Sequence, residues 1–171
     1  MKTKDFVQIS LFAAILCILA PLSIPLAGGI PISLSNFAVL LAGVLLGKKK
    51  GLLATLLYIF LGIVGLPVFS SYQSGLSVLF GMTGGFIIGY IPLAYISGYF
   101  SDTYQDVIKI FLGILIAEII QYTIGILWFQ FLTQLPLSSC IAACVIPFIP
   151  GDLIKMILIS YISTKKKLIQ Q

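Results

Sequence analysis

Two residues of opposite charge, Asp152 and Lys155, lie three positions apart in a strongly apolar stretch near the C-terminus. Side chains at this spacing share one face of a helix, and the preceding Pro150 and Gly151 indicate that a helix begins here. Asp152 would be its N-cap or first-turn acid, where the helix dipole favours a negative charge. Because charges at membrane depth are costly, we predict that the pair binds a polar ligand. The alternatives are a mutual ion pair or a marker of the helix end near the membrane interface.

A second polar group lies inside another apolar run, where Glu118 is followed one helical turn later by Gln121 and Tyr122. A carboxylate surrounded by lipid has to be protonated or paired. Three interpretations stay open: Glu118 lines the same cavity as Asp152, contacts a partner subunit, or forms a hydrogen-bonded strut between helices.

The residue types exclude several kinds of catalysis. The chain contains no histidine, so a Ser-His-Asp or Cys-His arrangement is impossible. Its three cysteines, Cys17, Cys140 and Cys144, are interpreted as small apolar packing residues, because without histidine they make a poor metal site. We therefore predict no catalytic residue, no metal and no cofactor.

Glycines at positions 81, 85 and 89 are spaced by four residues. Small residues at this spacing let two helix backbones approach closely. Packing within a helical bundle is therefore favoured over a phosphate-binding loop, and the chain carries no Walker A pattern for binding ATP.

The composition predicts that these residues are positioned by membrane helices. Of the 171 residues, 60% are hydrophobic and only 9% are charged, whereas soluble domains carry about 25% charged residues. About six spans of roughly 20 residues would use nearly the whole chain, which predicts a single all-α transmembrane domain over residues 1–171. The apolar run that follows Lys2 and Lys4 is expected to be a retained first helix and not a cleaved signal peptide. The net charge of +5 comes from lysine alone, in short clusters, which argues against nucleic acid.

Six helices are predicted from the apolar runs and their Gly, Pro and Lys boundaries. They cover about Phe6–Ile24, Ser35–Leu46, Leu52–Val68, Val78–Phe100, Val107–Leu132 and Asp152–Ile162, with a polar turn at Lys48–Gly51 and a broken segment through Pro147 and Pro150.

The lysine positions predict the orientation of the bundle. With both termini in the cytoplasm, six spans place every lysine cluster inside, in agreement with the positive-inside bias. Three irregular loops, around 24–34, 65–82 and 132–151, then lie together on the outer side. Irregular backbone at membrane depth is tolerated where protein or a water-filled cavity surrounds it, so these loops are predicted to form the mouth of a binding site.

Several short runs have specific composition and spacing: Gly-Leu-Pro-Val-Phe at 65–69, Gly-Met-Thr-Gly-Gly at 81–85 and Pro-Gly-Asp-Leu-Ile-Lys at 150–155, with Pro-Ile-Ser-Leu at 31–34. These runs resemble the BioY family, the biotin-specific S components of energy-coupling factor (ECF) transporters. The similarity extends over almost the whole chain in order and spacing.

The resemblance implies an S-component fold of six transmembrane helices in the cell membrane, with cytoplasmic termini and a ligand pocket near the outer face. It implies high-affinity capture of biotin and no enzymatic activity of the chain itself. Import would be powered by a transmembrane coupling (T) subunit and two cytoplasmic ATPase subunits.

Biotin suggests roles for particular residues. Its ureido ring offers two N–H donors and one carbonyl acceptor, which Asp152 and Lys155 can complement. Its thiophane ring and valeryl chain require apolar walls. The remaining candidates for ligand contact are Phe69, Ser70, Ser71, Tyr72, Gln73, Thr83, Phe86 and Tyr90.

Three alternatives remain. The chain could be an S component for another vitamin, although the lack of histidine argues against nickel or cobalt. It could be a membrane enzyme using Asp152 or Glu118 as a base, or a small structural or channel-forming bundle. Ligand recovered unreacted at one-to-one stoichiometry would distinguish a binding protein from an enzyme.

Overall fold

A computed structural model describes residues 2–24 and 30–170 of the chain. The described residues form eight α-helices: α1 Thr3–Leu19, α2 Ser35–Leu46, α3 Lys48–Val64, α4 Leu76–Phe80, α5 Gly84–Thr103, α6 Val107–Thr133, α7 Leu137–Cys144 and α8 Ile149–Gln170. Two short strands, β1 Ser23–Ile24 and β2 Ile32–Ser33, pair antiparallel, and Ser70–Tyr72 forms a 3₁₀ turn. The predicted all-α fold is confirmed.

The α2–α3 connection is tighter than predicted. Lys48, Lys49 and Lys50 were expected to form a turn, but they are the first residues of α3. Gly47 alone separates α2 from α3, with a φ of 82°, a conformation that favours glycine. Its carbonyl accepts the first hydrogen bond of α3, from the Gly51 backbone N–H at 2.9 Å. The other end of α3 also falls short of the predicted Val68, because Gly65 ends the helix in the left-handed conformation.

The predicted fourth helix, Val78–Phe100, is two helices, because the chain breaks between α4 and α5 at residues 81–83. The Gly81 carbonyl accepts a hydrogen bond of 2.9 Å from the indole Nε1 of Trp128 on α6. The same carbonyl also accepts from the Gly84 backbone N–H at 3.1 Å, so the bond from Trp128 ties the break to α6. The prediction of one continuous helix was therefore wrong, since nothing local to residues 78–100 reveals this partner.

The last helix begins earlier than predicted, at Ile149 instead of Asp152. Pro150 is its second residue, a position in the first turn where no backbone donor is required. Asp152 is consequently a first-turn acid and not the N-cap. The axes of α7 and of the 149–163 part of α8 differ by 54°, in agreement with the predicted broken segment.

Helix α5 is the centre of the bundle and packs against α2, α3, α4 and α6. Glycines make its contact with α6 close. A Cβ atom at Gly85 would lie 2.3 Å from Cβ of Trp128, and one at Gly89 would lie 2.8 Å from Cγ of Gln121. The glycine spacing thus serves helix packing in this structure.

The two ends of the bundle differ in chemistry. At one end Lys50 Nζ lies 3.3 Å from Asp5 Oδ1, and the Lys48 backbone N–H donates to Asp102 Oδ2 at 3.0 Å. At the other end Ser23 Oγ bonds Ser71 Oγ at 2.9 Å, and a second apolar cluster joins the loops: Ile30, Phe86, Phe129, Cys140 and Cys144. The described parts of the three irregular loops meet at this second end, which we call the loop end; the first is the lysine end. Residues 25–29 of the first predicted loop lie outside the described residues.

Much of the outer surface of the bundle is apolar. Phe60, Phe131 and Ile154 are each at least 60% exposed, which suits contact with lipid. By length and composition, one helix in the described part of the chain, α6, could cross a membrane by itself, and α7 with the 149–163 part of α8 could do so as one bent span.

Candidate ligand-binding site

A cavity opens at the loop end, between the inner parts of α2, α5, α6 and α8 and the segments that precede α2 and follow α3. Its polar lining consists of Ser33, Ser35, Asn36, Ser70, Thr83, Gln121, Tyr122, Asp152 and Lys155. Its apolar lining is largely aromatic and includes Tyr58, Phe69, Phe86, Tyr90 and Phe148. An apolar pocket with a few convergent polar groups is the usual form of a small-molecule site.

Asp152 is the hub of the charged part of the cavity. Lys155 Nζ donates to Asp152 Oδ1 at 3.1 Å, and the Tyr122 hydroxyl donates to the other carboxylate oxygen. The side chains of Asp152 and Lys155 are only 6% and 17% exposed. A buried charge persists where it is paired and hydrogen-bonded, and both conditions hold here. Lys155 keeps further N–H donors for a ligand, because an ammonium group has three.

Asn36 and Glu118 form a second polar pair behind the cavity wall. Asn36 Nδ2 lies 3.0 Å from both Oε1 and Oε2 of Glu118. Asn36 lines the cavity, whereas Glu118 lines an adjoining, mostly apolar groove between α6 and α8, which shares Tyr122 and Asp152 with the cavity. Glu118 is thus a strut between α6 and α2, one of the interpretations left open by the sequence.

Two buried side-chain oxygens in the cavity wall have no hydrogen-bond partner among the described residues, Asn36 Oδ1 and Gln121 Oε1. Gln121 is 3% exposed. Unpaired buried acceptors are rare, because each costs free energy comparable to a lost hydrogen bond. The cavity therefore offers acceptors beyond the Asp152 carboxylate.

Serine hydroxyls connect the segments that border the cavity. Ser35 Oγ accepts from Ser33 Oγ at 2.7 Å, donates to the Ala20 carbonyl at 3.3 Å and lies 3.5 Å from Ser70 Oγ. These contacts tie the start of α2 to the end of α1 and to the 3₁₀ turn.

The aromatic walls are held by edge-to-face contacts. Phe69 packs against Tyr58 with ring centroids 5.8 Å apart, and Phe86 packs against Tyr122 at 6.4 Å. Gly62 admits the Phe69 ring, since a Cβ there would lie 2.2 Å from it. Phe69 is almost fully buried, so this wall is fixed.

The cavity is narrow in this conformation, with a volume of about 50 Å³. Pockets for drug-sized ligands span roughly 300–1,000 Å³. The polar groups therefore contact one another here, and a vitamin-sized ligand requires the loop end to open around it.

Comparison with known proteins gives one consistent result. The model of the BioY family matches residues 1–170. The chain belongs to the BioY family. It is 36% identical to "Biotin transporter BioY2" of Lactococcus lactis over 160 residues, which are 93% of this chain and 87% of that protein. It is 37% identical to "Biotin transporter BioY" of Rhodobacter capsulatus over 167 residues, 90% and 88% of the two chains.

A solved structure is similar over the full length. The crystal structure of "the S-component for biotin from an ECF-type ABC transporter" superposes with a TM-score of 0.89 at 28% identity, covering 100% of this chain and 95% of that one. The S-component fold predicted from the BioY resemblance is confirmed. The chain is accordingly a membrane protein, as the family and the fold imply.

The cavity of this BioY-family chain brings together most of the residues that the sequence singles out. Seven predicted residues line it: Phe69, Ser70, Thr83, Phe86, Tyr90, Asp152 and Lys155. Ser71 and Tyr72 lie on the exposed side of the 3₁₀ turn, and the Ser71 side chain bonds Ser23. Gln73 lines a separate open groove formed with α4. Ligand contact by each of the ten residues stays a prediction.

Sequence reasoning missed most of the α2 and α6 contributions to the cavity. Asn36 has no distinguishing signal in the sequence, because a single amide near a helix start is more often a cap than a site residue. Gln121 and Tyr122 stand out in the sequence only as polar neighbours of Glu118. The useful signal is their polarity inside a long apolar helix, where polar side chains face the bundle interior.

Proposed function

We propose that this protein captures biotin at the loop end and carries it across the cell membrane as the S component of an ECF transporter. The observation that carries the proposal is a buried Asp152–Lys155 pair in the cavity of a BioY-family fold. Full-length similarity to a solved biotin S component supports it.

The chemistry of biotin suits the cavity. The ureido carbonyl would accept from Lys155 Nζ, and one ureido N–H would donate to the Asp152 carboxylate. Polar contacts of this kind give specificity, because an analogue that lacks a group leaves a buried partner unpaired. The thiophane ring and valeryl chain would pack against Phe69, Phe86 and Tyr90, with the hydroxyls of Ser70 and Thr83 at the border.

We propose a different role for the three predicted contact residues that lie outside the cavity. Ser71 and Tyr72 belong to the 3₁₀ turn whose first residue, Ser70, lines the cavity, and Gln73 follows this turn; all three lie outside the narrow cavity. We assign them to ligand contact in the form that opens to admit biotin, where this turn would be the first part to move.

The surrounding assembly follows from the S-component class. A transmembrane coupling subunit and two cytoplasmic ATPase subunits would supply the energy, and the six predicted spans would place the lysine end in the cytoplasm. As a transporter component, the protein releases its ligand chemically unchanged.

Isothermal titration calorimetry on detergent-purified protein tests the proposal. Biotin should bind one-to-one, and the extracted ligand should be unmodified. Absence of binding by wild-type protein with a cooperative melting transition would overturn the biotin assignment. Titration with other vitamins would then distinguish an S component of different specificity, and recovery of a modified compound would identify an enzyme.

A further inference from the structure

The two unpaired amide oxygens in the cavity wall need a partner that the described protein does not supply. Asn36 Oδ1 and Gln121 Oε1 are buried without a hydrogen bond, and both residues line the cavity. A buried acceptor without a donor keeps the full cost of its lost hydration. Two of them in one ligand cavity indicate that the ligand brings a hydrogen-bond donor to this part of the wall.

The ureido ring presents its donors in a way that one carboxylate cannot satisfy. The two N–H groups of a cyclic urea flank the carbonyl and point to opposite sides of the ring. If Asp152 accepts from one of them, the other faces away and requires a separate acceptor. Asp152 already accepts from Tyr122 and Lys155, so its carboxylate is the most occupied acceptor in the cavity.

We infer that the side-chain oxygens of Asn36 and Gln121 together accept the ureido N–H of the ligand that does not face Asp152, and that Glu118 is the positioning residue that orients Asn36. This inference rests on the proposed function. It adds an amide side of the ring site, contributed by α2 and α6, to the charged side contributed by α8.

Glu118 fixes which end of the Asn36 amide faces the cavity. Both carboxylate oxygens lie 3.0 Å from Asn36 Nδ2, and a carboxylate only accepts hydrogen bonds. The amide nitrogen is therefore held toward α6, and Oδ1 is left for the ligand. The Glu118→Gln side chain can donate as well as accept, so this substitution would permit the Asn36 amide to turn and present its N–H₂ to the cavity instead of Oδ1.

Gln121 is held in place by packing. It lies against Gly89 of α5, where a Cβ would come within 2.8 Å of its Cγ and 3.2 Å of its Cα. The close α5–α6 contact thus restricts the side chain at the cavity wall. A rigid acceptor loses little entropy when the ligand binds.

The test compares biotin with a derivative methylated on a ureido nitrogen, for both positional isomers, by competition against labelled biotin. Gln121→Met and Asn36→Leu should each weaken biotin binding by about tenfold, because the buried N–H that faces these residues loses one of its two acceptors. For the isomer that lacks this N–H, the same variant should change affinity by less than about threefold. Gln130→Met is the matched control on α6, outside the cavity, and should behave as wild type.

Glu118→Gln should weaken biotin binding without adding to the loss in an Asn36→Leu background, because its effect passes through Asn36. Wild-type affinity in Gln121→Met or Asn36→Leu would overturn the assignment of that oxygen. An equal loss for biotin and both methylated isomers would overturn it too, since it would reveal a structural role. Failure of the wild type to bind biotin would instead contradict the proposed function, so the two failures are distinguishable.

Discussion

Lys155 Nζ lies 3.1 Å from Asp152 Oδ1, one helical turn further along α8, in a cavity that largely excludes solvent. The side chains of this pair are less exposed than those of the ion pair at the lysine end, where Lys50 and Asp5 are 32% and 29% exposed. Removing one member of a buried pair leaves the other charge uncompensated, whereas an exposed pair contributes little. The two pairs therefore provide a matched comparison.

Asp152→Asn and Lys155→Met should each weaken biotin binding at least about 30-fold. Each change removes a ligand contact and leaves the charge of the other residue buried without its partner. Lys50→Met should leave the affinity within about twofold of wild type. Calorimetry with biotin measures all three. Equal affinities for the Lys155→Met variant and the Lys50→Met control would rule out a role for the buried pair in binding.

Tyr122→Phe should weaken biotin binding about tenfold and leave the melting temperature nearly unchanged. The variant keeps the ring that packs against Phe86 but loses the hydroxyl that donates to Asp152. Hydrogen bonds to charged groups contribute about 1.5–3 kcal/mol to stability. Without the Tyr122 hydroxyl, one Asp152 carboxylate oxygen loses its donor, and the carboxylate is less well oriented for the ligand. Tyr99→Phe, which keeps the edge-to-face contact of this ring with Phe100 at the lysine end, is the control in the same titration. A Tyr122→Phe variant that binds as the wild type would show that Asp152 is oriented by Lys155 alone.

The fold was largely predictable from the chain, for physical reasons. Long apolar runs have to form helices in lipid, since each backbone group needs an internal partner. The predicted bounds of α2 are those observed, and α6 differs by one residue. The break before α5 was missed because its stabilising bond, from Trp128 to the Gly81 carbonyl, joins residues that are far apart in sequence.

The site was predictable only in part. Asp152 and Lys155 are conspicuous because charges are scarce in an apolar segment. The amide groups of Asn36 and Gln121 are not conspicuous in the sequence. Their role in the site depends on which of their atoms have hydrogen-bond partners in the fold. That question is decided by the three-dimensional contacts of α2, α5 and α6.

Gly85→Ala should lower the stability of the purified protein by about 1–3 kcal/mol, as expected for overpacking at a close contact. The new Cβ would meet Cβ of Trp128 at 2.3 Å, an atom next to the α6 backbone that cannot move away easily. Gly151→Ala is the control, because a Cβ at that helical position has nothing within 4 Å and alanine favours helix. Thermal unfolding in detergent should show a lower midpoint for the first variant and an unchanged or higher one for the second. Equal midpoints would contradict the close α5–α6 contact.

The orientation of the bundle can be tested with single cysteines in a variant whose Cys17, Cys140 and Cys144 are replaced by alanine. Tyr72, at the loop end, is 64% exposed, and Lys49, at the start of α3, is also exposed. A membrane-impermeant maleimide should label Tyr72→Cys in intact cells and Lys49→Cys only after lysis, because lysine-rich ends are retained in the cytoplasm. Biotin present during labelling should slow the reaction of Tyr72→Cys if the 3₁₀ turn closes over the ligand. Labelling of Lys49→Cys in intact cells would reverse the topology and place the cavity on the cytoplasmic side, where it could not capture an external vitamin.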